Sequence, residues 1–170
     1  MCATATESNQ DREYDPAINN NHGFNNPTLG RALTPKDPAE GYGMINVDAA
    51  IQCLRRVFNS GGTGDTFGNG GFDKRASGCN VVLTNGIGYA FELDVPAGAD
   101  FDLYLYSATP DPLGNPVILA ASTSPTLGGT ESFSYTPPAG PLDPLPYKTY
   151  YLVVKRVSGS GTFILRYPPN

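Results

Sequence analysis

The chain has 170 residues, of which 16% are charged, and its formal net charge is −5. Its 11 basic residues are scattered along an acidic chain and provide no patch for phosphates, so nucleic acid is not an expected partner. The apolar runs are only a few residues long, whereas a membrane-spanning helix needs about 20, so no membrane span is expected.

The first 58 residues are predicted to be a largely irregular arm that ends in one amphipathic helix, about residues 47–58. Asn46 is a candidate N-cap, and apolar side chains recur after it at helical spacing. These side chains are Val47, Ala50, Ile51, Leu54 and Val57. Because a helix of about three turns is marginal in water on its own, we expect this stripe to pack against something else.

Residues 59–78 are rich in glycine and are predicted to be a flexible linker. From residue 79 to residue 168, apolar and polar side chains alternate with a period of two, and turn residues separate the alternating runs. The predicted strands cover residues 81–84, 89–95, 100–106, 117–121, 131–135, 150–156 and 162–167. No helical stretch separates them, so the sequence predicts a mainly antiparallel β-sandwich or jelly roll of about seven or eight strands.

Two stretches in residues 79–168 resemble the bacterial pre-peptidase C-terminal (PPC) domain, a β-sandwich attached behind many secreted proteases. The first is FELDVPAG followed by DFDLYLY, which together span residues 91–106. The second is YYLVV at residues 150–154, followed by GTFIL at residues 161–165. This resemblance implies a non-catalytic extracellular module.

Two earlier stretches resemble a subtilisin-like catalytic domain. Residues 40–51, EGYGMINVDAAI, resemble its end, where the chain passes through glycines into a final helix. Residues 1–6, MCATAT, resemble the segment after the catalytic-serine helix. The family's catalytic motifs lie upstream of that segment, and the sequence contains no Gly-Thr-Ser-Met, so we expect no enzyme activity.

Asp100 and Asp102 are the candidate metal ligands. They are spaced to lie on one face of a strand, and carboxylate oxygens close together are what calcium prefers. Structural calcium is also common in the families that the chain resembles. The alternative is a solvated acidic face near a sheet edge, where charge prevents pairing between edges. The two carboxylates resemble the catalytic pair of a glycosidase only superficially, so acid–base catalysis is not the expected role.

The chain has three cysteines, Cys2, Cys53 and Cys79. Because the number is odd, at least one thiol is either free or paired with another chain. A Cys53–Cys79 bridge would close the linker and dock the helix on the sandwich, but spacing alone does not decide whether it forms. The only histidine, His22, lies in a run of asparagines and reads as a solvated loop residue, with a base or metal role as the alternative.

Five tyrosines could form either a binding face or part of the core, and the favoured interpretation is that they pack in or beside the core. They are Tyr104, Tyr106, Tyr150, Tyr151 and Tyr167.

The expected function is therefore that of an extracellular, non-catalytic β-sandwich module derived from the C-terminus of a subtilisin-like protease, acting in stabilisation, targeting or binding. Its expected partners are the parent protease domain or other copies of itself, with a protein or polysaccharide surface as a further option. The alternative is a self-assembling subunit of an extracellular filament, in which the arm of residues 1–38 docks on a neighbouring copy.

Overall fold

The computed structural model describes residues 47–58, 61–68, 74–139 and 146–167. These contain helix α1, Val47–Arg55, and strands β1 Gly61–Phe67, β2 Ala76–Thr84, β3 Tyr89–Val95, β4 Asp100–Ser107, β5 Ile118–Ser122, β6 Gly129–Tyr135, β7 Tyr147–Ser158 and β8 Gly161–Tyr167. The predicted arm, His22 and Cys2 lie outside the described residues. Within the described ranges, no helix has the length and apolarity to cross a membrane.

The eight strands form two four-stranded antiparallel sheets. In sheet I the spatial order is β1-β8-β3-β6, and in sheet II it is β2-β7-β4-β5. All strand pairs within the sheets are antiparallel. This confirms the predicted antiparallel β-sandwich and the upper end of its predicted strand number.

The core lies between the two sheets and is built from the alternating apolar positions that the sequence indicates. Phe91, Phe101 and Leu103 are fully buried there, as are residues from β2, β7 and β8. Phe67 packs against Phe101 and Phe163 with ring centroids 5.0 Å apart in both cases. Aromatic pairs of this geometry contribute stability beyond the area that they bury. Tyr150 and Tyr167 belong to this core, in agreement with the packing interpretation.

The predicted linker is partly strand. Residues 61–67 form β1, which pairs with β8 along its whole length, from Gly61 opposite Tyr167 to Phe67 opposite Gly161. Strand β2 begins at Ala76, three residues before the predicted start of the sandwich. A run of GGTGDTF has little apolar surface, so its strand conformation depends on hydrogen bonding to β8.

Helix α1 ends at Arg55 and packs on sheet II with a different face from the one predicted. Its buried residues are Ala49 and Cys53, whereas Val47, Ile51 and Leu54 of the predicted stripe are exposed. The small side chains let the helix approach β2 closely at Gly78. A Cβ added at Gly78 would lie 2.3 Å from Cys53 Sγ and 3.2 Å from the carbonyl oxygen of Ala49.

We expect Gly78→Ala to lower the free energy of unfolding by about 1–3 kcal/mol, because the new methyl group forces α1 away from β2. The measurement is urea unfolding followed by circular dichroism. The matched control is Gly62→Ala in β1, where the nearest atom to an added Cβ is Ile164 Cγ2 at 3.7 Å. Adding Cys53→Ala should recover part of the Gly78→Ala loss, and strictly additive effects would contradict the proposed contact.

Candidate functional site

The junction between α1 and β2 is fixed by hydrogen bonds to the outer edge of β2. Gln52 Oε1 accepts from the Gly78 amide and from Ser77 Oγ, both at 3.1 Å. The Asn80 side chain donates to the carbonyl oxygen of Cys53 at 3.0 Å. The chain after the helix then runs beside β2, since the Asn80 amide donates to the Arg56 carbonyl and the Phe58 amide donates to the Asn80 carbonyl, both at 2.8 Å.

A second group of contacts joins this junction to β1, and we call the two groups together the helix clasp. Lys74 Nζ lies 2.6 Å from Asp65 Oδ2 and 3.1 Å from Asp48 Oδ2. Burial alone would raise the pKa of Asp65, but hydrogen bonds from Lys74, Ser77 and the Thr66 amide lower it below its usual value. The ionised Asp65 therefore contributes stability at neutral pH that is lost as the pH falls through this lowered pKa.

The predicted carboxylate pair lies at the start of β4, where the structure adds a third acidic residue. Asp102 is buried and accepts a hydrogen bond from the Tyr104 hydroxyl at 2.8 Å. Asp100 is half-buried, and its Oδ1 atom has no hydrogen-bond partner. The register of β4 against β7 shifts between Asp100 and Phe101, so the simple alternation that predicted a shared face is interrupted there.

The third acidic residue, Glu131 of β6, is buried and close enough to raise the pKa of both aspartates. Its carboxylate accepts hydrogen bonds from Ser122 Oγ and from the Ser124 amide, which joins β6 to the end of β5. The pKa of Asp102 is raised to about 6, chiefly by burial, which outweighs the lowering effect of the hydrogen bond from Tyr104. The charges of Asp100 and Glu131 also raise this pKa, and the charge of Lys155 lowers it.

The outer face of sheet II beside Asp102 is a second buried cluster, formed by Cys53, Tyr104, Tyr106 and Val153 with Tyr151 packed against it. Lys155 lies opposite Asp102 in the β4–β7 register. Its ammonium group is 5.4 Å from the ring centre of Tyr104 and 5.7 Å from that of Tyr106. Burial raises the pKa of both tyrosines, so both hydroxyls stay protonated at neutral pH. We call Asp102, Tyr104, Tyr106 and Lys155 the outer-face cluster.

Calcium at Asp100 and Asp102 stays a prediction. In the part of the chain that the structure describes, no three His, Cys, Asp or Glu side chains are grouped so that they could hold a metal ion. Calcium takes six to eight oxygen ligands, and two carboxylates are only part of such a set. A calcium-dependent rise in melting temperature that Asp100→Asn abolishes is the result that would support the metal site.

The structure does not contain the predicted Cys53–Cys79 bridge, since both residues are buried free thiols. Cys79 belongs to the core between the sheets, whereas Cys53 faces Gly78, on the other face of β2. Burial raises the pKa of Cys53 to about 11. The pKa of Cys79 is raised to about 12, mainly by burial and to a smaller extent by the charge of Cys53. Both groups are therefore protonated and poorly nucleophilic at neutral pH.

Several residues of this region were not singled out from the sequence, chiefly Gln52, Lys155 and Glu131. The only available signal was on α1, where Ala49, Gln52 and Cys53 form a face of small and polar side chains opposite the apolar stripe. Lys155 and Glu131 reach β4 from strands distant in sequence, and only the sheet register and the way the sheets pack reveal this.

No protein-family model matches the sequence, and no curated protein matches it. Among solved structures, the chain is similar to the pre-peptidase C-terminal domain of a collagenase from Bacillus anthracis. The TM-score is 0.46 at 12% identity, over 66% of this chain and 92% of that one.

It is also similar to CorA, a surface-associated copper-binding protein of Methylomicrobium album BG8. The TM-score is 0.40 at 10% identity, over 67% of this chain and 99% of that one. The CspB protease of Clostridium perfringens matches with a TM-score of 0.40 at 15% identity, over 66% of this chain and 28% of the protease.

We expect the stability of the protein to fall between pH 4 and pH 6 because of Asp102. Its raised pKa means that the folded state binds this proton more tightly than the unfolded state, whose value is about 3.9. The stabilisation is complete below about pH 3.9 and is lost as the pH rises through about 6.

The variant Asp102→Asn removes this ionisation, so it should gain about 2–3 kcal/mol over the wild type at pH 7 and about nothing at pH 3.5. Urea unfolding at the two pH values measures the difference. The control is Asp94→Asn, which breaks an exposed ion pair with Arg166 and should change stability by less than about 1 kcal/mol. An equal effect of Asp102→Asn at both pH values would contradict the assignment.

Proposed function

We propose that the chain is a non-catalytic accessory module of an extracellular protein, fixed rigidly at the C-terminal end of a subtilisin-like domain. The observation that carries the proposal is the helix clasp. Helix α1 overlaps residues 40–51, the stretch that resembles the end of such a domain, and the clasp fixes α1 to the sandwich. The sandwich and the end of the preceding domain would then move as one body.

The interaction that gives this rigidity is directional. Hydrogen bonds from Gly78 and Ser77 to Gln52, and from Asn80 to Cys53, determine both the position and the rotation of the helix. The short parallel bridge between Val57 and Asn80 fixes the chain after the helix. A module attached in this way holds a binding surface at a constant distance from its neighbour, so its contribution is position and stability, without chemistry.

The non-catalytic part of the proposal predicts that the purified chain hydrolyses no fluorescent casein and takes up no fluorophosphonate probe. An active serine hydrolase would react with that probe because its serine is activated by a neighbouring base. Subtilisin serves as the positive control, and heat-denatured chain corrects for nonspecific labelling. A serine that the probe labels in the folded chain but not in the heat-denatured chain would contradict the proposal that the chain is non-catalytic.

The rigid attachment predicts slow hydrogen exchange throughout α1. In the wild type, the α1 amides should exchange together with those of β2, because separating the helix requires breaking the clasp. Gln52→Ala should accelerate exchange in α1 at least tenfold while β3 and β8 keep their rates.

The matched control is Arg55→Ala on the same helix, an exposed position without a clasp contact, which should leave exchange unchanged. If α1 exchanges at the rate of an unstructured peptide in the wild type, the chain has a flexible connection and the proposed rigid role is wrong.

A further inference from the structure

The apolar stripe of α1 points away from the sandwich. Val47, Ile51 and Leu54 are 57%, 47% and 72% exposed, on the side of the helix opposite Ala49 and Cys53. Val57, just after the helix, is 55% exposed. Large apolar side chains that lie side by side on an otherwise polar surface are typical of interaction sites. In the part of the chain that the structure describes, this stripe stays largely exposed, so it can meet another protein.

We propose that the stripe docks on the same stripe of a second copy of this chain, as an antiparallel helix pair around a twofold axis. The three side chains follow one another at intervals of four and three residues, which is the spacing of a helix–helix seam. A twofold axis near Ile51 brings each copy's Ile51 against Leu54 of the other. The surface is then complementary to itself, as a twofold contact requires.

The charges beside the stripe favour the antiparallel arrangement. Asp48 lies in the first turn of α1 and Arg55 in the last, seven residues apart, so both lie on the same flank of the stripe. In an antiparallel pair the first turn of one helix lies beside the last turn of the other. Asp48 of each copy then lies beside Arg55 of its neighbour, whereas in a parallel pair the two identical flanks lie on opposite sides of the seam and these charges do not meet.

The size of the stripe determines the strength of the contact. Three apolar side chains on a helix of nine residues offer less surface than the roughly 800 Å² per partner of a stable complex. The dimer should therefore be weak, with a dissociation constant of about 10–500 μM, and its population should depend on protein concentration. The contact closes on itself and does not propagate, which separates it from a filament. This dimer is proposed for the 170-residue chain by itself and does not rest on the proposed function, and a preceding domain packed on the same stripe would compete with the second copy.

The test is sedimentation velocity of the purified chain from about 5 μM to about 1 mM, a range that spans the expected dissociation constant. The wild type should shift from monomer to dimer as the concentration rises. Ile51→Glu places two carboxylates beside the twofold axis and should raise the dissociation constant at least tenfold. The control is Leu113→Glu, at the most exposed large apolar residue among those that the structure describes, in the turn between β4 and β5, and it should dimerise like the wild type.

A second pair of variants tests the antiparallel arrangement. Arg55→Glu faces Asp48 of the other copy with a like charge and should weaken the dimer, whereas Arg55→Glu combined with Asp48→Arg restores opposite charges and should recover it. Circular dichroism melting confirms that each variant is folded, which matters because Asp48 also contacts Lys74. A wild type that stays monomeric over the whole range would overturn the proposal. A dimer that survives Ile51→Glu, or that Leu113→Glu abolishes, would do the same.

Discussion

The constraint on which the rest of the structure depends is the outer edge of β2. An edge strand exposes unpaired amide and carbonyl groups, which attract other chains unless they are bonded or covered. Here the Gly78 amide is bonded by Gln52, and the Asn80 amide and carbonyl are bonded by the chain just after α1. The helix must therefore lie close to β2 and present a polar group to it. That requirement selects the face with Ala49, Gln52 and Cys53, and it leaves the apolar stripe outside.

The two sheets meet at their edges through side chains. On one side, Asp65 of β1 accepts a hydrogen bond from Ser77 of β2 at 2.7 Å, and Arg56 donates to the Gly64 carbonyl at 3.1 Å. On the other side, Glu131 of β6 joins the end of β5 through Ser122 and Ser124. A sandwich has four edges, and here charged or polar side chains cross between the sheets on both sides. Those bonds limit how far the sheets can slide or separate.

The sequence predicts a strand accurately where every second residue is buried on the inner face of the sheet and turn residues mark both ends of the strand. Strand β3 is predicted with its exact bounds, since Tyr89, Phe91, Leu93 and Val95 all face the core. Strand β1 was predicted as linker because its conformation comes from pairing with β8 and only Phe67 is buried. The face of α1 was predicted wrongly because an apolar stripe is normally the buried one, whereas here the hydrogen-bonding needs of an edge strand prevail.

The candidate site depends even more on long-range pairing. The sequence points to Asp102 because two carboxylates spaced two apart on a strand are visible in it, but it does not reveal which side chains surround Asp102. Lys155 lies opposite it only through the β4–β7 register, and Glu131 belongs to the other sheet. A single sequence gives the inward and outward alternation of each strand, and it does not give the order in which eight strands pair. The chemistry of a buried carboxylate depends mainly on that order.

Burial of sheet II on both faces explains why tyrosine is used in β4. In an ordinary two-layer sandwich the outer face is solvated, so its residues are polar and need no partner. Here Tyr104 and Tyr106 are buried on that outer face. A buried polar group costs free energy unless it is bonded, and Tyr104 meets this condition through Asp102. The ammonium group of Lys155 over both rings supplies the opposite charge to Asp102. The outer-face cluster is therefore a second, partly polar core, and its geometry holds β4 and β7 in one register.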